Sequence, residues 1–181
     1  MQKKKRSKVL LGSLKVMLAS ALLAAISIVC GKFLSFPQDG IFRFSVENLP
    51  ILFAGMAFGP VSGMVTAVLA DLLGCLMRGW APLPWVTVGA GVLGLTGGLV
   101  YRVFPGNRLW LRVGSSVFFA HLLGSVLVKT INLYHTYRIP YPVALGWRGL
   151  NYLLVGAVEF VLLLLLFRNK AVTGQIQRLK Q

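Results

Sequence analysis

Apolar residues in this chain come in long blocks, without the alternation of a half-buried strand or the single stripe of a surface helix. The first block follows MQKKKRSK and runs to about Val29. It supplies the roughly 20 apolar residues that a helix needs to cross a hydrocarbon core about 30 Å thick. The triplet Ala19-Ser20-Ala21 inside it has the form of a signal cleavage site. A signal core is only about 7–15 residues long, however, so the block reads as a first membrane helix. A polar, aromatic segment with Pro37 and Gly40 occupies residues 31–48, and a second apolar block over residues 49–77 is interrupted by Gly59-Pro60. Further blocks cover residues 86–101, 111–134 and 148–167, joined by RVFPGNR and HTYRIPYP.

Gly59-Pro60 sets the number of spans, since the pair either kinks one long helix or reverses the chain between two shorter ones. Charge arbitrates between the two. Six spans place 13 Lys and Arg on the side of the termini and 6 on the other, namely Lys32, Arg43, Arg78, Lys129, Arg138 and Arg148. Five spans give 10 against 9 and erase the cytoplasmic excess of cations that membrane proteins show. The predicted fold is an all-α integral membrane protein, a compact bundle of six transmembrane helices with both termini cytoplasmic. Residues 1–8 form a basic N-terminus, residues 9–168 the membrane domain and residues 169–181 a basic tail. The composition, 56% hydrophobic and 13% charged, excludes an ordinary soluble domain, for which roughly 25% charged is usual. The net charge of +15 is thereby a topology signal before it is a nucleic-acid signal. Twenty glycines include the small-xxx-small pairs Gly55/Gly59, Gly59/Gly63 and Gly94/Gly98, which would let helix backbones approach closely.

Catalytic motifs are lacking. There is no GxxxxGK[ST] loop, HExxH or GxSxG, and His121 and His135 have no carboxylate or cysteine beside them in sequence. Cys30 and Cys75 lie in apolar blocks and read as small core residues, so no metal and no cofactor is expected. Ionisable groups at depth remain. Asp71 falls about 16 Å along the helix that starts at Pro60, and Glu159 lies comparably deep in the last block. A carboxylate at such depth is costly unless paired or lining a polar cavity; Lys129 and Arg148 are the expected partners of Glu159. The six outer cations oppose the topology rule, so either Asp39, Glu47 and Asp71 offset them or an anionic ligand does. Trp80, Trp85, Tyr134, Tyr137 and Trp147 crowd the same side, as an interfacial belt or as stacking surface for a flat ligand. The segment 31–48, carrying Phe33, Phe36 and Phe42, is long enough to gate a pocket, and the short helix after it is the kind of broken element that marks membrane binding sites.

GKFLSFP, RFSVENLPILFAGMAFGPVSGMVTAVLADLLGCL, VTVGAGVLGLTGGLVYR, LVKTINLYHTY and WRGLNYLLVGAVEF together resemble the substrate-binding S component of energy-coupling factor (ECF) vitamin transporters, particularly the folate-specific group. The resemblance extends over about residues 19–167 and is most specific in RFSVENLPI, FGP and ADLLG. It implies a multi-pass protein of the bacterial plasma membrane that captures a vitamin from outside. Its partners would be a membrane coupling subunit (the T component) and two cytosolic ATPase subunits, and it would deliver its substrate by toppling in the membrane. On the first helix, Ala21/Ala25, with Ser20/Ala24 beside them, match the family's AxxxA pattern for contact with the coupling subunit. For folate, Arg43 with Arg78 or Arg148 would hold the carboxylates, Asn48 and Asp71 would hydrogen-bond within the pocket, and Trp85 or Tyr137 would stack. Lys129 departs from the uncharged amide expected there in many relatives, and its role stays open. So does the choice among folate, riboflavin, thiamine and a queuosine precursor. A structural membrane subunit and an intramembrane enzyme are the readings from other classes.

Overall fold

A computed structural model of the chain describes residues 13–32, 35, 44–105, 108–131 and 140–180. Among the described residues seven helices follow one another: α1 (Leu14–Lys32), α2 (Asn48–Phe58), α3 (Pro60–Met77), α4 (Pro84–Val103), α5 (Leu109–Ile131), α6 (Tyr141–Arg168) and α7 (Lys170–Leu179). Five of them, α1, α3, α4, α5 and α6, are long and apolar enough to cross a membrane. Of the expected six transmembrane helices, five are thus long enough to cross, and the sixth is the short helix that the sequence marks after residue 48, since the 11 residues of α2 reach only about 16 Å.

The chain does reverse at Gly59, as the charge count requires. Gly59 has φ 125°, a conformation that side-chain-bearing L-residues rarely adopt, and Pro60 starts α3 where its missing N–H costs nothing. The Arg102 guanidinium donates to the Phe58 carbonyl at 3.1 Å and so satisfies an orphan acceptor at the end of α2. Past the turn, α2 and α3 pack backbone to backbone: a Cβ on Gly63 would lie 2.7 Å from Gly55 Cα. From α4, Gly94 and Gly98 close on the same point, where a Cβ on Gly98 would lie 2.7 Å from Pro60 Cα. The glycine pairs of the sequence thus meet as one three-helix junction, the close approach that small residues permit in lipid.

Burial is inverted relative to a soluble protein. Ser20, Ser27, Ser62, Thr66, Ser116, Ser125 and Thr130 are buried, whereas Leu18, Leu22 and Ile26 of α1 and Leu153, Leu154 and Val158 of α6 are exposed. Large apolar side chains facing outward and small or hydroxyl ones facing inward suit a bundle whose solvent is hydrocarbon. A compact apolar core of Leu52, Leu93, Val113, Val117 and Leu163 fills the centre.

The start of α1 and all of α7 share one end of the bundle, where Val16, Ala57, Phe58 and Ile176 cluster. Residues expected to form a mere tail instead fold as α7, with Asn169 Oδ1 accepting from Ala171 N at 2.9 Å as its N-cap. Val172, Ile176 and Leu179, spaced to share one helix face, hold it against α1 and α2.

Candidate functional site

Toward the end of the bundle opposite the termini, α2 begins in the interior at Asn48, which is 2% exposed. A cavity of about 30 Å³ lies there, lined by Ser27 and Ile28 of α1, Glu47 before α2, Asn48 and Ile51 of α2, Ala67, Ala70 and Asp71 of α3, Ala90 of α4 and Lys129 of α5. Five helices therefore contribute to one small polar chamber.

Local bonds fix its walls. Ser27 Oγ donates to the Glu47 carbonyl at 2.6 Å and ties α1 to the start of α2. Thr87 Oγ1 donates to Asp71 Oδ2 at 2.6 Å, which orients that carboxylate from α4. The Lys129 stem runs over Gly89, where a Cβ would lie 2.5 Å from Lys129 Cγ, so only a residue without a side chain fits beneath it. Lys129 is 5% exposed, and among the described residues it has no ion-pair partner. An ammonium at such depth costs about 2.5–3.5 kcal/mol on insertion scales, so its retention marks a site where something polar is to be met. Glu47, Asn48, Asp71 and Lys129 thus line one shared space, with the Glu47 carboxyl lying against Gly31 of α1.

Of the residues singled out in the sequence, Asn48, Asp71 and Lys129 come together here. Three others do not. Arg78 stacks its guanidinium over Trp80, 4.9 Å from the ring centroid, and Arg148 Nη1 donates to the Ser125 carbonyl at 3.2 Å, so neither lines the cavity. Trp85 sits at the start of α4, 44% exposed. Arg43, Tyr137 and the loop residues Phe33, Phe36 and Phe42 lie outside the described residues. On α1, Ala21 and Ala25 are exposed, but Ser20 and Ala24 are buried in the bundle and are corrected from a contact face to packing residues. Adjacent positions on a helix are turned about 100° apart, which separates the two pairs.

Glu47, which the sequence reading offered as a carboxylate offsetting the outer cations and not as a pocket residue, also lines the cavity. Its signal was its place directly before the short helix. Glu159 also finds an unexpected partner. Its Oε2 lies 2.7 Å from His121 Nε2, with both side chains buried, and neither Lys129 nor Arg148 pairs with it. The two residues are 38 positions apart, which hid the pair from any local motif.

Comparison with known proteins bears on what this chamber serves. No curated protein sequence matches the chain. Among solved structures, one described as the crystal structure of FolT bound with folic acid superposes with a TM-score of 0.69 at 19% identity, covering 82% of this chain and 89% of that one. A second, described as the structure and mechanism of the S component of a bacterial ECF transporter, gives 0.61 at 21% identity, with 85% and 94% covered. These likenesses establish the fold. The family profile for the ECF transporter, substrate-specific component, matches residues 15–169. A sequence match across nearly the whole bundle, joined to that fold and to a buried polar chamber at its heart, places this multi-pass membrane chain in the ECF transporter substrate-specific component family, a transport component and not an enzyme.

Proposed function

We propose that the chain captures folate from the outer side of the bacterial plasma membrane. It hands the vitamin inward with a T component and two ATPase subunits, and the end that carries the termini faces the cytoplasm. The observation that carries the ligand is the donor and acceptor set of the cavity. The amino-oxo-pyrimidine edge of a pterin presents two neighbouring N–H donors, a spacing that one carboxylate accepts in pairs as it accepts a guanidinium. Asp71 and Glu47 supply such acceptors, while the Lys129 ammonium and the Asn48 amide suit the pterin carbonyl and ring nitrogens. The glutamate carboxylates then extend toward Arg43, Arg78 and Arg148. The likeness to FolT bound with folic acid supports this assignment.

A chamber of about 30 Å³ holds a water molecule or two, whereas small-molecule sites run from about 300 Å³ upward. Binding therefore requires the walls from α1, α2 and α3 to part, and part of the binding energy is spent on that opening. Protein extracted in detergent and analysed by mass spectrometry and ultraviolet absorbance reports what it retained, and calorimetry with folate measures affinity directly. A flavin spectrum, or calorimetry without heat of folate binding, would overturn the proposal.

A further inference from the structure

The buried His121–Glu159 pair takes no part in lining the cavity, yet it stands at the point where α5 changes geometry. The helix is regular over Leu109–Ala120 and widens to a π-helix over His121–Val128. At the start of the widened stretch the His121 ring is pinned to α6 three ways. It is bonded to Glu159 at 2.7 Å, stacked on Tyr152 with centroids 5.3 Å apart, and set over Gly156, where a Cβ would lie 3.4 Å from its Cδ2. At the far end, the Lys129 N–H bonds the Gly124 carbonyl, closing a five-residue turn. Between the two ends Gly124 presses on α4, where a Cβ would meet Leu93 Cβ at 2.6 Å.

A π turn accommodates one residue more than an α turn, so every later side chain is rotated by about 100° from where a continuous α-helix would carry it. That rotation is what lays Lys129 over Gly89 and into the cavity; without it the ammonium would address a neighbouring face of α5. The widened geometry is uncommon because its hydrogen bonding is less favourable, and it persists where the surroundings hold it.

We infer that His121 and Glu159 are positioning residues of the vitamin site, fixing through the π segment of α5 the direction in which Lys129 meets its ligand. The inference rests on the folate reading only for the identity of the ligand used to measure it.

Replacing both members, His121→Leu with Glu159→Leu, removes the pair without stranding a buried charge, an exchange that often leaves stability intact. The double variant is expected to fold and to lose folate affinity roughly 10–100-fold, a loss that shrinks to under about 2-fold in a Lys129→Met background. Glu159→Gln, which still bonds the ring, is expected to keep most of the affinity. If the double variant does not fold, Tyr152→Leu frees one face of the ring and should cost roughly 3–10-fold, again only while Lys129 is present. Equal losses with and without Lys129, or a Glu159→Gln loss as large as that of the double variant, overturn the inference. A structure of the double variant decides independently of ligand: α5 should relax toward regular helix with Lys129 off Gly89, and an unmoved π segment and Lys129 overturn the inference. Wild-type protein that ignores folate sinks the ligand assignment alone, since the structural comparison still stands.

Discussion

An ammonium set where five helices meet, without a carboxylate in ion-pair range among the described residues, burdens an empty bundle and serves a filled one. Lys129→Met is accordingly expected to raise the thermal midpoint of the ligand-free protein while weakening folate at least about 10-fold, read by a melting curve and by calorimetry on the same sample. Asp71→Asn keeps the shape of the side chain and its bond from Thr87 but halves its capacity to accept paired donors. A loss of about 10-fold, near 1.4 kcal/mol, is expected, and unchanged affinity would remove Asp71 from the site. These two residues were legible in the sequence because a polar group inside an apolar block stands out against it, whereas Asn48, at the end of the polar segment, came from the resemblance. That Arg78 and Arg148 stand outside the cavity wall was not legible, for the complementary reason. Their position near helix ends is visible in the sequence, but the direction each side chain takes depends on neighbours such as Trp80 and the Ser125 carbonyl.

Helices α2, α3 and α4 owe their arrangement to what is missing from their surfaces. Gly94→Val would drive a side chain into the Gly63 carbonyl, a backbone atom that cannot swing aside, and the variant is expected to be poorly recovered from the membrane and to melt early. Gly59→Ala is milder; it strains a residue at φ 125° beside the Arg102 guanidinium and should cost about 1–2 kcal/mol, measured by unfolding in detergent. The spacing of these glycines was readable from the chain, and so was the reversal at Gly59-Pro60. The widening of α5 was not, because one extra residue in a uniformly apolar helix leaves no break in its pattern. Nor was α7 foreseen: its basic residues masked the Val172, Ile176 and Leu179 face that seats it on α1 and α2.

At the scale of the whole molecule, the proposed orientation and the proposed contact with a T component can each be read directly. Single cysteines introduced at Lys170 and at Trp80 of a cysteine-free variant should label from opposite sides of the membrane, Lys170 from the cytoplasm. Ala21→Leu with Ala25→Leu crowds an exposed face of α1 and is expected to reduce copurification of the T component while leaving folate affinity unchanged; loss of folate binding instead would assign that face to the bundle. The all-helical membrane fold class was legible at this scale because hydropathy blocks are summed over many residues and survive local error. The glycine junction carries a further consequence for divergence. Its hold comes from main chain against main chain, so the side chains around the chamber can be exchanged without repacking the frame that supports them. A likeness of 0.69 in TM-score at 19% identity is what such a frame permits. Relatives that carry different vitamins are then expected to keep small residues at the positions of Gly55, Gly63, Gly94 and Gly98 while the residues at the positions of Glu47, Asp71 and Lys129 turn over with the cargo.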